Sequence, residues 1–361
     1  MSLDKKENEK ALKPADKKKS MRKWIALAIL LTGMSVSAVI GAIKLYDSFF
    51  KRYERPDYTI TPGMCDYKRY AASLPRRELF FYSQGVKLKG YYYEASGSKG
   101  LVVLVHGLRA GSDDYLPITE FFVKNGYSVF TYDGTGVFDS EGKSTVGMCQ
   151  SVIDLDYALN YLKSDETFSR QDLYLFGHSC GGYAVTSVLS FHPEVKACAS
   201  ISAVNNCYTL IVDKGKQYGG KLAAEGLPKV FLDCYQKYLF GDYVNCSGVK
   251  GINDSGIPVF VAHGKEDLVI SYAEQSVISK RKEITNPKVK YYVGEGKNDG
   301  HNTIWHSEAS VLYQEEVNQK LKSLSGYEEK QAYVTTVDHR LYSEINEELF
   351  AEILEMFDNA N

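Results

Sequence analysis

The chain has 361 residues, 44% hydrophobic and 13% aromatic, enough for one large globular domain plus an appendage. Its net charge of −2 is unevenly placed: residues 1–23 carry nine Lys/Arg against four Asp/Glu, which leaves about −7 for the rest. An acidic body argues against a nucleic-acid-binding domain, and seven cysteines without close spacing argue against a metal-ligand motif.

In chain order, residues 1–23 form a basic head. Trp24 to Ile43 is a run of twenty residues without a charge, and at 1.5 Å per residue a helix of that length matches a bilayer's hydrocarbon core of roughly 30 Å. An uncleaved transmembrane anchor is the favoured reading. The rival is a signal peptide cut near Val36-Ser37-Ala38. Seven Lys/Arg lie in 9–23 against four in 44–58, so the head is expected in the cytoplasm and the large domain outside. Residues 44–77 read as a juxtamembrane connector, broken by Pro56, Pro62 and Pro75.

The folded domain is expected over 78–324. Leu79–Tyr82 and Val86–Tyr93 flank a turn and predict a hairpin. Gly100–Val105 is an uninterrupted apolar strand of the kind buried on both faces. A helix over 114–124 leads to a strand at Tyr127–Tyr132, and Leu155, Leu159 and Leu162 predict a helix over 154–163. Strands follow at 172–176, 197–203, 257–262 and 289–293, with helices over 183–189, 271–282 and 306–323. This alternation gives a mostly parallel sheet with helices on both faces. It breaks at 205–254, which reads as a helical cap insertion over the strand C-termini, where such sheets bind ligands. Cys207, Cys234 and Cys246 lie in that insert and could pair in an oxidising compartment. Residues 325–361 form a C-terminal helical extension of open role.

Gly177-His178-Ser179-Cys180-Gly181 lies between a strand and a helix, which is the nucleophile-elbow pattern. A serine hydroxyl is a weak nucleophile near neutral pH and needs a base, itself oriented by a carboxylate. In an elbow fold these follow in the order Ser, Asp, His. Asp267 closes the loop His263-Gly264-Lys265-Glu266-Asp267 at a strand end, with Glu266 as the fallback. His301 follows the last strand. His306 falls inside the predicted helix 306–323 and is expected at the surface. An oxyanion needs two aimed N–H donors: Cys180, next to the nucleophile, and Leu108, in the loop His106-Gly107-Leu108-Arg109. A Cys180 thiol acting as nucleophile is the lesser alternative.

His106-Gly107, Tyr132-Asp133-Gly134-Thr135-Gly136, the elbow, the Asp267 loop and Gly300-His301 together resemble the α/β-hydrolase superfamily. The resemblance is to its serine aminopeptidase-like and monoglyceride-lipase-like group, with membrane-anchored bacterial members. It implies the triad Ser179–Asp267–His301, the Leu108/Cys180 oxyanion pair and a cap. One departure is that relatives often read Asp-x-Arg-Gly-His-Gly-x-Ser where this chain has Asp133-Gly-Thr-Gly-Val-Phe-Asp-Ser140, without the Arg and His. The other motif histidines, His106, His178 and His263, are expected to pack or hydrogen-bond.

The expected activity is a membrane-anchored serine hydrolase of ester, thioester or amide bonds, on a small-molecule, lipid or short-peptide acyl substrate. Esterase or lipase action is favoured, since nothing reads as an acidic clamp for a peptide amino terminus. Aminopeptidase or transacylase action on the same triad, or a non-catalytic ligand-binding role, are the alternatives. No cofactor or metal is expected, for want of clustered ligands.

Overall fold

A computed structural model describes residues 14–224 and 227–360, with side chains at several positions in 14–45 and 214–228 outside that description. The basic head expected over 1–23 therefore lies outside the described residues as far as position 13. Two compact units are present, Met1–Phe49 and Phe50–Asn361.

In the first unit, α1 (Pro14–Phe49) is one continuous helix. Trp24, Ile25, Leu27, Ile29 and Ile40 are exposed on it. Among the described residues no helix is long and apolar enough to cross a membrane. Side chains 28, 30–32, 34–36 and 38 of the expected span lie outside the description. The transmembrane reading of 24–43 is therefore not supported by the structure.

The second unit is built on an eight-stranded sheet in the order β1-β2-β4-β3-β5-β6-β7-β8. The strands are β1 (Arg77–Ser83), β2 (Val86–Tyr93), β3 (Leu101–Val105), β4 (Ser128–Tyr132), β5 (Leu173–His178), β6 (Val195–Ile201), β7 (Val259–Gly264) and β8 (Val289–Gly294). The predicted hairpin forms β1 and β2, joined through Gln84 (φ +48°) and Gly85 (φ +84°), a turn whose twist matches the strands. β2 runs antiparallel to β4, and every later pair is parallel. Leu101–Val105 is buried throughout, as its unbroken apolar run requires.

Helices α2 (Leu116–Lys124), α3 (Gln150–Ser164), α4 (Cys180–Ser187), α5 (Cys207–Ala224), α6 (Leu227–Phe240), α7 (Gly248–Ser255), α8 (Glu308–Ser323), α9 (Tyr327–Val334), α10 (His339–Tyr342) and α11 (Glu347–Asp358) complete it. On one face α2 and α11 meet over the sheet: the Phe122 ring stacks on Phe357 with centroids 5.8 Å apart, and Phe176 of β5 lies 5.8 Å from Phe350. The opposite face carries α3, α4 and α7. Gly251 of α7 approaches so closely that a Cβ there would lie 1.9 Å from the Thr186 carbonyl oxygen. The cap is accordingly α5 and α6, whereas α7, predicted within the insertion 205–254, belongs to the body.

The helix predicted over 271–282 does not form. Its backbone is used instead to continue the sheet region: Ser276 bridges Val204, Val277 N–H donates to Ala203 O at 3.0 Å, and Asn205 N–H donates to Gln275 O at 2.9 Å. Only a 3₁₀ turn, Ile278–Lys280, remains. Cys207, Cys234 and Cys246, whose pairing the sequence leaves open, are free thiols, Cys207 buried against Tyr183 and Cys234 exposed on α6.

Candidate active site

The turn from β5 into α4 places Ser179 at φ +57°, ψ −117°, a conformation an L residue adopts only where its surroundings impose it. Two glycines make that turn possible. A Cβ on Gly177 would lie 2.3 Å from Gly181 O, and one on Gly181 would lie 2.1 Å from Val105 O. Ser179 N–H is held by Ile201 O at 2.8 Å, which fixes the elbow to the neighbouring strand.

The structure brings Ser179, His301 and Asp267 together. His301 Nε2 lies 2.9 Å from Ser179 Oγ and its Nδ1 lies 2.7 Å from Asp267 Oδ2. The acid and base loops are bonded to one another, Lys265 N–H to Gly294 O at 3.0 Å and Glu266 N–H to Asp299 O at 2.9 Å. Glu266 is exposed and takes no part in the contact with His301. Asp267 Oδ1 accepts from the N–H groups of Val269 and Ile270 at 2.8 and 2.9 Å, and Oδ2 lies 3.1 Å from His263 Nε2. Burial alone would raise the Asp267 carboxyl, but the hydrogen bonds from His263, His301 and Ile270 outweigh it and hold the group far below the ordinary carboxylate range. Asp267 is therefore a fixed anion, suited to orient a histidine and to balance its positive charge.

Cys180 is the first residue of α4, so its N–H has no acceptor within the helix. Leu108 lies on the loop after β3, just before Arg109 at φ +59°. None of the described hydrogen bonds uses its N–H. A cavity of about 40 Å³ adjoins both residues; its walls include Val105, Tyr132, Val137, Thr145 and Asp154. The Cys180 thiol is buried beside Met148 O and Ser151 Oγ, and burial pushes it up to about 12. It stays protonated near neutral pH and is no rival nucleophile.

Two residues behind the elbow were not assigned this placement from sequence. Gly107 N–H donates to Tyr115 Oη at 3.0 Å, and Tyr115 Oη lies 2.9 Å from His178 Nδ1. His178 Nε2 in turn lies 3.0 Å from the His301 carbonyl oxygen. These distances fit one tautomer: Tyr115 donates to Nδ1 and His178 donates from Nε2. The loop after β3 and the loop carrying His301 are thus linked through His178, the residue before Ser179. Burial, reinforced by the nearby His301, drives the His178 imidazole down to about 3 and keeps it neutral. His178 stood in the motif as a visible signal; nothing local to Tyr115 marks it. His306, predicted at the surface, is instead buried ahead of α8, near Glu344 O, because Ser307 rather than residue 306 caps that helix.

Residues 96–232 match the family described as serine aminopeptidase, S33. The chain is 26% identical over 125 residues to thiohydrolase aneE of Aspergillus aculeatus, covering 34% of this chain and 39% of that protein. It is 23% identical over 189 residues to lysophosphatidylserine lipase ABHD12 of Danio rerio, covering 50% and 47%. It therefore spans less than half the length of either curated relative. Among solved structures, the Pyrococcus furiosus esterase Pf2001 superposes with a TM-score of 0.50 at 21% identity, over 79% of this chain and 98% of that one. That likeness speaks for the fold.

Proposed function

We propose that this chain is an α/β-hydrolase, and specifically a serine hydrolase cleaving an ester or thioester through an acyl-enzyme on Ser179. The observation that carries this reading is the 2.9 Å contact between His301 Nε2 and Ser179 Oγ, with Asp267 2.7 Å behind the imidazole. Ser179 Oγ attacks the acyl carbonyl as His301 Nε2 takes its proton. The oxyanion is held by the Leu108 and Cys180 N–H groups. His301 then passes the proton to the leaving oxygen or sulfur, and the acyl-enzyme remains. Water attacks that ester, His301 accepts its proton, and Ser179 recovers a proton as the acid departs.

Ester chemistry is favoured over release of amino-terminal residues. A peptide's ammonium group needs a free carboxylate, and the acidic side chain of the adjoining cavity is already committed. Asp154 accepts from Ser83 Oγ, Thr135 N–H, Thr135 Oγ1 and Gln150 Nε2 at 2.6–2.9 Å. The lipase and thiohydrolase names of the curated relatives support the same preference.

Labelling of the full chain with a fluorophosphonate tests the reading. Wild type should label, Ser179→Ala should not, and His301→Ala and Asp267→Asn should label at least 10³-fold more slowly. A folded wild type that does not label would overturn the proposal.

The finer reading places the domain on a membrane through residues 24–43, head inside. Its support is the uncharged run and the exposed apolar side chains of Trp24, Ile25, Leu27, Ile29 and Ile40. The protein should then stay in the membrane pellet through alkaline carbonate washing and lose that property when 24–43 is deleted. Release of the intact chain by carbonate would refute the anchor.

A further inference from the structure

The segment before the first strand is built into the domain next to the oxyanion loop. Phe50 O accepts from Thr145 N–H at 2.7 Å, Tyr53 N–H donates to Gly136 O at 2.9 Å, and Phe138 N–H donates to Tyr53 O at 2.9 Å. The bridges Lys51–Ser144 and Tyr53–Val137 continue this pairing along the loop after β4. Arg52 donates to three carbonyls of that loop: Phe138 O, Ser140 O at 2.8 Å and Gly142 O at 3.0 Å. The backbone of 50–53 thus forms a strap across residues 136–145.

What the strap holds is Phe138, itself at φ +40°. Tyr53 stacks on the Phe138 ring with centroids 5.6 Å apart, and the Arg55 guanidinium carbon lies 4.5 Å above the ring's centroid. The ring also closes on Gly111 of the oxyanion loop, where a Cβ would lie 2.2 Å from a ring carbon. Arg55 also ties the two loops electrostatically. It pairs with Asp113 on the oxyanion side and with Asp139 at 2.9 Å on the other. Asp133, 3.9 Å from Arg55, in turn accepts from Ser112 N–H at 3.0 Å and Ser112 Oγ at 2.7 Å. Val137 and Thr145, the strap's partners, wall the same cavity as Leu108 and Cys180.

We propose that Tyr53 and Arg55 are positioning residues for the hydrolytic reaction: they press Phe138 onto Gly111 and pin Asp113, and so fix the oxyanion loop where Leu108 N–H meets the developing charge. The proposal rests on the serine-hydrolase reading above. It makes turnover depend on a segment that lies ahead of the family-matched residues 96–232.

The test uses the full chain with Tyr53→Leu, Arg55→Gln and Arg55→Lys. Its readouts are hydrolysis of p-nitrophenyl acetate, inhibition by an alkylboronic acid that forms a tetrahedral adduct on the serine, and thermal melting. A misplaced donor loses transition-state stabilisation while substrate binding changes little. Tyr53→Leu and Arg55→Gln should therefore lower kcat about tenfold and raise the boronate Ki by a matching factor, with KM within about twofold. The pH profile of kcat/KM should keep its shape, and Arg55→Lys should recover part of the loss. Folded variants with wild-type kcat and Ki would overturn the proposal. So would a loss equal to the unfolded fraction, with the folded remainder binding boronate as wild type does. A wild type inert to both ester and fluorophosphonate would instead sink the hydrolase reading itself.

Discussion

His178 illustrates how one buried neutral imidazole beside the candidate site governs stability in acid. In the folded chain it titrates at about 3, and His306, buried near the Glu344 carbonyl, at about 4. Both would titrate near 6.5 in the unfolded chain. Between these values the unfolded state binds more protons, so stability falls as pH drops from about 6.5 toward 4 and is fully present above that window. By pH 5 each histidine should have withdrawn about 2 kcal/mol. Urea midpoints at pH 7 and pH 5 measure this loss. His178→Gln, whose amide can accept from Tyr115 and donate to His301 O without charging, should remove about 2 kcal/mol of the difference. An unchanged difference would show that position 178 is not held neutral by burial. Asp267 acts in the same direction but lower, since its depressed carboxyl is lost only in strong acid.

At the scale of elements, α11 covers part of one face of the sheet with an apolar stripe. Leu349, Phe350, Ile353, Met356 and Phe357 are all buried, and Phe350 reaches Phe121, Phe122 and Phe176. Phe350→Ala should cost about 3–5 kcal/mol, read as a lowered denaturation midpoint. A cost under about 1 kcal/mol would mean that α11 merely rests on the surface. The sequence made its strands legible because continuous apolar runs and alternation are local signals. The order Ser179, Asp267, His301 was legible because each follows a strand end. What stayed hidden depends on partners distant in sequence. The 271–282 stretch has helical spacing, yet its N–H and C=O groups are taken by residues 203–205. Tyr115 gains its meaning only when His178, 63 residues on, is folded beneath it. Pro56, Pro62 and Pro75 ruled out a long helix across 44–77, where α1 ends at Phe49, but could not reveal that Arg52, Tyr53 and Arg55 grip a loop some 85 residues away.

Over the whole second unit, its first residues are clasped to its C-terminal helices. Gly63 N–H donates to His339 Nδ1 at 3.1 Å, Met64 N–H to Ser343 Oγ at 2.7 Å, and Tyr327 Oη to Asp57 at 2.8 Å. Contacts this far apart in sequence close a loop of about 270 residues, whose closure entropy is among the largest in the unit. The aromatic face over Tyr127, Tyr174 and Phe176 is covered by Phe350 and Phe357. During synthesis α2 alone covers that face, through Phe122 on Phe176, until α11 has been made. Between the synthesis of β5 and that of α11 the nascent chain therefore displays Tyr127 and Tyr174 without their Phe357 partner, the kind of patch on which holding chaperones act. A ribosome that stops at codon 340 leaves that surface permanently uncovered. Such a product lacks the Phe350 and Phe357 contacts, even though Ser179, Asp267 and His301 have all been made.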